Sequence, residues 1–176
     1  MTDTLDAVPA VPAVLLHLLH AKEAMTELER KAEQVLLSIP TDGDGFGDFM
    51  SLFPALAAEH NDHSQFTRRT VPLLTHHAET WFRPWAERIF RAANFGGEDE
   101  MVGAVARRSQ LEFAYEVYRG TAAESVFDNE RDEAADALLA TRAVDLGITP
   151  TPGTPRTHRW WDWSSSVRVD GVSFPL

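Results

Sequence analysis

Closely spaced histidines are the residues of this chain whose type and spacing are best suited to chemistry. Six of the seven histidines fall into three groups, at His17 and His20, His60 and His63, and His76 and His77. Helical residues three apart share one face, so imidazoles at this spacing can turn toward a common centre. Imidazole and carboxylate are ligands that suit zinc, iron and manganese. The sequence therefore predicts, as one of two alternatives, a helical protein that binds a divalent metal ion.

The predicted metal ligands are His60, His63, His77 and Glu79. Helical bundles that hold two metal ions do so with His and Glu side chains projecting inward from several helices. The repeated Glu-x-x-His of di-iron bundles is missing, because no Glu lies three residues before any of the grouped histidines. On this alternative the protein would be a metal-binding bundle, with di-metal oxidoreductase chemistry as its most specific form.

A second candidate site lies in the aromatic tail. Trp160, Trp161 and Trp163 follow a proline-rich segment, and Phe174 lies near the C-terminus. Trp is among the residues that most often anchor protein interfaces. The predicted partner-binding residues are therefore Trp160, Trp161, Trp163 and Phe174, and the partner is another protein or a second copy of this chain. Packing of the same tail onto its own helical domain is the alternative reading.

The sequence contains no recognised catalytic motif. There is no cysteine, which excludes disulfides, thiolate metal sites and a cysteine nucleophile. Gly-x-Ser-x-Gly, Walker A and Gly-x-Gly-x-x-Gly patterns are also missing. No catalytic residue is assigned, and the sequence leaves open whether the protein is an enzyme.

Charge and hydropathy narrow the classes of partner and the compartment. The formal net charge is -11, which argues against nucleic-acid binding and against docking to anionic membranes. No apolar run approaches the ~20 residues that span a bilayer. The N-terminus has no basic segment before its apolar stretch, as a secretory signal would. We expect a cytoplasmic protein.

An amphipathic stripe predicts a long first helix. Apolar residues recur at alternating spacings of three and four from Val11 to Val35, and charged residues such as Glu29 fall off the stripe. Pro12 suits a first turn and Pro40 ends the pattern. This predicts a helix of about seven turns whose apolar seam packs against another helix, with His20, Glu23 and Glu27 facing solvent.

Interrupted helices are predicted from Phe49 to Phe95, after a loop at residues 41–48. Thr70-Val-Pro72 predicts a new helix start after a break near Arg68-Arg69, and Pro84 predicts a kink. The Gly96-Gly97 pair predicts a helix end.

Two further helices complete the predicted bundle. Glu98 opens a helix that runs to Gly120, and the capping-box pattern Thr121-Ala-Ala-Glu124 opens a last helix that ends at Gly147. The predicted fold is an all-α bundle of about four to six helices over residues 1–148. Residues 149–176 are predicted to be a stiff proline-rich linker followed by a tail with a β-hairpin at Asp170-Gly171.

Two function classes remain from the sequence. An interaction or assembly protein, such as an adaptor or a structural subunit of a larger complex, is favoured by the tail, the apolar seam and the lack of catalytic motifs. The metal-binding bundle is the other class. Deleting residues 150–176 would separate them, since it should abolish association only if the tail is the interface.

Overall fold

The computed structural model describes residues 25–164, and within them the chain is mostly helical and has no β-strand. Five helices have twelve residues or more, and shorter helices and loops connect them. In chain order the elements are α1 Glu27–Ser38, α2 Phe46–Met50, α3 Phe53–Ala58, α4 Ser64–His76, a π-helix Ala78–Phe82, α5 Arg83–Phe95, α6 Glu98–Tyr118, α7 Glu124–Asp128 and α8 Glu133–Leu146. The predicted β-hairpin at Asp170-Gly171 lies outside the described residues.

Helix α6 is the centre of the domain. Helices α2, α3, α5, α7 and α8 all pack against it, while α1 packs on α2 and α4. The core is rich in aromatic rings: Tyr118 at the end of α6 stacks on Phe127, with ring centroids 5.1 Å apart. The Tyr118 hydroxyl lies 2.6 Å from the Thr70 hydroxyl, and burial raises the pKa of this tyrosine. No helix in the described part of the chain is both long and apolar enough to cross a bilayer.

The first helix begins later than the stripe predicts. Thr26 has an extended backbone, its hydroxyl accepts a hydrogen bond from the Glu29 amide, and the Glu29 carboxylate accepts one from the Thr26 amide. This capping box stops helical structure from running back through Met25, so the prediction of one continuous helix is wrong at this point. The predicted turns before Met25 lie outside the described residues.

Glu29 is buried although it lies off the apolar stripe. Its side chain is 2% exposed. One carboxylate oxygen caps α1, and the other lies 2.7 Å from Nδ1 of His63. Burial of this charge is compensated by both partners, which hydropathy spacing alone does not reveal.

The predicted helix break near Arg68-Arg69 is wrong. Helix α4 runs through these arginines and through Pro72, and the interruption lies at residues 59–63 instead. Pro72 has no N–H to donate to the carbonyl of Arg68, four residues earlier. Both residues face solvent, so water can donate a hydrogen bond to that carbonyl instead. Asp62 accepts a hydrogen bond from the Ser64 amide and helps to start the helix.

The predicted last helix is divided into α7 and α8. Asp132 caps α8, since its carboxylate accepts hydrogen bonds from the amides of Ala134 and Ala135. The Glu124 carboxylate reaches back to the Gly120 amide at 2.6 Å rather than to Thr121. The predicted end at Gly147 is confirmed, as this residue has the left-handed backbone that suits glycine.

The junction between α5 and α6 is confirmed at Gly96-Gly97. A Cβ atom at position 96 would lie 2.7 Å from the Ala92 carbonyl oxygen, so this turn requires glycine. Arg142 of α8 donates hydrogen bonds to the carbonyls of Ala93 and Gly96 and so caps the end of α5. Pro84 lies in the first turn of α5, directly after the π-helix, where its missing N–H costs little.

The proline-rich segment is not a free linker in this structure. A turn closes between Thr151 and Thr154, and a second one between Pro155 and His158. The Asp162 amide then donates to the Ile148 carbonyl at 3.1 Å, which returns the chain to the end of α8. Trp160 and Trp161 belong to the same apolar core as the helices, so the first part of the tail is integral to the domain.

Candidate functional site

The four predicted metal ligands do not form a common centre. Within residues 25–164, no group of three or more His, Asp and Glu side chains is arranged to hold a metal ion. His60 lies exposed at a turn with a φ of 48°, and Glu79 is exposed and paired with Arg83 at 2.8 Å. The predicted ligand set is therefore dispersed over separate parts of the surface.

The remaining two predicted ligands have other partners. His63 is held by the buried carboxylate of Glu29, as described above. The His77 ring stacks on Trp81, with centroids 3.9 Å apart and planes 10° from parallel. Each of these half-buried imidazoles therefore has a partner within the domain, the Glu29 carboxylate for His63 and the Trp81 ring for His77. The pair His17 and His20 lies outside the described residues.

Two of the three predicted partner-binding tryptophans, Trp160 and Trp161, pack against helix α6 of their own chain. Trp160 is 3% exposed and Trp161 is 5% exposed. The Trp160 indole N–H is shared between the Val105 carbonyl at 3.1 Å and the Ser109 hydroxyl at 3.0 Å. The Trp161 indole N–H donates to the same hydroxyl at 2.9 Å. Both anchors therefore satisfy their polar groups within the domain.

Ser109 is the hub of this contact, and its hydrogen bonds fix the state of a histidine. A hydroxyl has two acceptor lone pairs and one hydrogen, and the two indole N–H groups occupy the lone pairs. Its hydrogen is then donated to Nδ1 of His158, 3.0 Å away. The imidazole consequently carries its own proton on Nε2, which is buried without a hydrogen-bond partner.

His158 is held in its neutral form. It is fully buried, stacks on Trp160 with centroids 4.8 Å apart and meets Phe113 edge-on. Burial lowers the pKa of His158 to about 4; the Glu112 carboxylate opposes this and the Arg108 guanidinium adds to it. We call residues 149–164 the arm, and residues 158–161 together with Ser109 the arm lock. Because the Ser109 hydroxyl is buried and fully engaged, it is not available as a nucleophile.

A charged cleft of about 630 Å³ lies beside the arm lock, and its central ions neutralise one another. Arg108 is buried, binds Asp136 with two nitrogens at 2.5 and 2.8 Å, and binds Glu112 at 3.0 Å. Its guanidinium lies 4.1 Å from the Trp160 ring centroid. Arg131 pairs with the other Glu112 oxygen at 3.1 Å. These mutual pairs make the cleft a structural ion network that holds α6, α8 and the arm together.

Another cavity lined by charged residues, of about 530 Å³, lies between α5 and α6 and has a different character. It is lined on α5 by Arg88, Arg91 and Phe95, which share one helical face, and on α6 by Asp99, Glu100, Gly103 and Arg107. Phe95 is 86% exposed, the highest value among the large apolar side chains of the described residues. We call this surface the arginine–phenylalanine groove.

The three arginines of this groove have no ion-pair partner among residues 25–164. Burial, with the nearby charge of Arg88, lowers the pKa of Arg107, which is the direction expected for a cation that nothing neutralises. Of the two acids, Glu100 accepts a hydrogen bond from the Gly97 amide at 2.8 Å and so serves the start of α6. The groove thus exposes an aromatic ring beside three arginines that form no ion pair, and these outnumber by one the two carboxylates, Asp99 and Glu100, that line the same cavity.

The sequence carried a signal for this groove that the prediction missed. Trp85 and Ile89 define the buried stripe of α5. Phe95 lies off that stripe, on the same helical face as Arg88 and Arg91. A phenylalanine on the polar side of a helix departs from the amphipathic pattern, and its position beside the arginines is what distinguishes this surface. Comparison with known proteins gives no match to a family model, a curated protein or a solved structure.

Proposed function

We propose that this protein is an interaction or assembly protein that binds a partner protein through the arginine–phenylalanine groove. The observation that carries the proposal is the 86% exposure of Phe95 beside three arginines without acidic partners. Phenylalanine and arginine are enriched at the centres of protein interfaces. The preferred partner segment is one that brings an apolar side chain and carboxylates together.

The apolar part of this contact follows from the cost of leaving Phe95 in water. Covering a Phe side chain yields roughly 1.5–3 kcal/mol. The ring lies at the end of α5, whose backbone is fixed by the Arg142 cap and by Gly96. A ring presented on a rigid helix end loses little entropy on binding, which favours recognition over a flexible loop.

The ionic part follows from the difference between the groove and the whole protein. The chain has a net charge of -11, while Arg88, Arg91 and Arg107 present positive charge in one cavity. A partner with acidic residues relieves the repulsion between Arg88 and Arg107, whereas a basic partner increases it. Acidic segments are therefore selected locally even though the rest of the surface repels them.

The arm lock changes how the aromatic tail enters this proposal. Trp160 and Trp161 are covered by their own domain, so they stabilise the fold that carries the groove. Trp163 is half-buried and donates its indole N–H to the His158 carbonyl at 3.0 Å. A contact of Trp163 or Phe174 with a partner stays a prediction, and Phe174 lies outside the described residues.

The test uses two fluorescein-labelled twelve-residue peptides with the same Leu and Phe positions, one filled with Glu and the other with Lys. Fluorescence anisotropy should show saturable binding of the acidic peptide, weakened by added salt because the contacts are ionic. The basic peptide should not bind. Phe95→Ser should weaken the acidic peptide's binding at least tenfold, roughly the 1.4 kcal/mol expected of an interface anchor.

The matched control is Leu37→Ser, which removes another exposed apolar side chain, 62% exposed, on α1. This variant should bind the acidic peptide like the unmodified protein. Absence of saturable binding, equal binding of both peptides, or equal losses in the two variants would each contradict the proposal. Light scattering of the same samples shows whether Phe95→Ser also converts a dimer to a monomer, in which case the partner is a second copy of this chain.

A further inference from the structure

A cavity of about 750 Å³ lies on the opposite side of the arm from the ion network, between α3, α6 and residues 151–155. Alanines on α3 and Ala106 on α6 leave the space, and Phe113 and Trp161 supply aromatic walls. This volume lies in the range of pockets that bind small organic molecules, roughly 300–1,000 Å³. None of its lining residues belongs to the arginine–phenylalanine groove.

The proline-rich edge of this cavity is a preformed wall. The Thr154 amide donates to the Thr151 carbonyl at 3.1 Å, and the two threonine hydroxyls lie 3.1 Å apart. Pro152 and Pro155 fix their own backbone angles within and just after this turn. The arm lock holds the following residues, because Trp161 is tied to Ser109. A wall fixed at both ends costs little entropy when a ligand binds.

Only a few polar side chains reach this cavity, and they are unequal as ligand contacts. The Ser109 hydroxyl lines it but has all its hydrogen bonds in the arm lock. Gln110 and Glu116 line it as well, and neither makes a side-chain hydrogen bond or ion pair within the described chain. Glu116 and His60 lie at its exposed rim, and the hydroxyls of Thr151 and Thr154 are paired with each other. The free hydrogen-bonding capacity is therefore an amide inside the cavity and a carboxylate and an imidazole at its rim.

The charge of Glu116 selects the sign of the ligand. Burial raises the pKa of Glu116, and the nearby Glu112 charge adds to this, while Arg119 opposes it. A cation placed at Glu116 would relieve the repulsion between the two carboxylates, whereas an anion would add to it. The overall negative charge of the protein also raises the local concentration of cations.

We propose that this cavity is a binding site for a small organic amine, with its ammonium group at Glu116 and its apolar body between Ala106, Phe113 and Trp161. The Gln110 amide oxygen accepts a second hydrogen bond from the ammonium group. This site is independent of the proposed protein-binding groove, since the two share no residue.

The probes are 4-phenylbutylamine, 4-phenylbutanol and 4-phenylbutanoate, which share one apolar body and differ in charge. Proton–nitrogen correlation spectra of labelled protein follow the Trp161 indole N–H and the Gln110 side-chain amide during each titration. The amine should shift both signals saturably with a dissociation constant below about 1 mM. It should bind about fivefold more tightly than the alcohol, the effect of a partly exposed ion pair, and the acid should bind most weakly.

Variants separate the site from its charge preference. Glu116→Gln should bring amine binding down to that of the alcohol and leave the alcohol unchanged. Ala106→Phe should fill the cavity and abolish binding of all three probes, and Ala58→Phe on the opposite wall gives the same test if the first variant does not fold. The matched control Ala134→Phe, at the exposed start of α8, should bind the amine normally.

Three results would overturn the proposal. They are the lack of a saturable shift with the amine, a tighter affinity for the acid than for the amine, and amine binding that survives filling of the cavity in a variant with the normal helical circular dichroism spectrum. A loss of amine preference in Glu116→Gln together with loss of all binding in Ala106→Phe supports it.

Discussion

Replacing Ser109 by alanine should destabilise the whole domain, although it removes a single oxygen atom. The hydroxyl accepts from Trp161 at 2.9 Å and donates to His158 at 3.0 Å, and both side chains are buried. Without it the Trp161 N–H has no acceptor, which costs about 1–3 kcal/mol. The Trp160 N–H keeps the Val105 carbonyl, so it adds little. His158 loses its donor, which costs about another 1 kcal/mol, and alanine recovers roughly 0.5 kcal/mol of helix propensity.

The expected net loss in the free energy of unfolding is about 2–3 kcal/mol, a large share of the ~5–15 kcal/mol typical of a domain. Urea unfolding followed by circular dichroism and tryptophan fluorescence measures it. The control is Ser38→Ala, whose exposed hydroxyl donates only to the Val35 carbonyl and should change stability by less than ~0.5 kcal/mol. If Ser109→Ala is no more destabilising than this control, the hub role of the hydroxyl is wrong.

Three further predictions concern the arm and the first helix. Lowering the pH from about 6.5 to about 4 should lower the free energy of unfolding by up to roughly 3 kcal/mol, because the unfolded chain protonates His158 in this range and the folded one does not. The pH dependence of the free energy of unfolding should lack this component in His158→Asn. Equal losses in the variant and the wild type over this range would contradict the prediction. Deleting residues 150–176 should lower the unfolding midpoint as well as affect any association, because Trp160 and Trp161 belong to the core, so an unchanged midpoint would oppose the arm lock. Thr26→Ala should cost about 1 kcal/mol in urea unfolding through loss of the capping box, whereas Thr26→Ser, which keeps the hydroxyl, should cost little; equal costs in the two variants would leave the cap without support.

Local signals in the sequence were sufficient to predict several helix ends. Gly96 and Gly147 end helices as expected, because a crowded turn and a left-handed residue both require glycine. The start of α1 was equally readable, since Thr26 and Glu29 have the capping-box spacing, but the apolar stripe that continues through them masked it. Propensity and hydropathy therefore predicted the helical class, and they missed the start of α1, the true position of the break before α4, and the division between α7 and α8.

The arm lock could not be read from the sequence because it depends on the path of a non-helical segment. Nothing in the spacing connects Ser109 to residues nearly fifty positions later, and only the turns at 151–158 bring His158 back onto α6. No metal centre forms at the grouped histidines within residues 25–164, for a related reason. Imidazoles three apart share a face only within one helix, and His60 and His63 lie in the interruption between α3 and α4.

Mapping the acidic peptide onto the labelled protein would decide whether the arginine–phenylalanine groove is the interaction surface. Proton–nitrogen correlation spectra recorded during the titration should show the largest shifts in backbone amides between Arg88 and Arg107. The indole N–H signals of Trp160 and Trp161 should stay in place, since the arm lock remains closed. Shifts centred on those indoles, or spread evenly over the domain, would contradict the proposed surface.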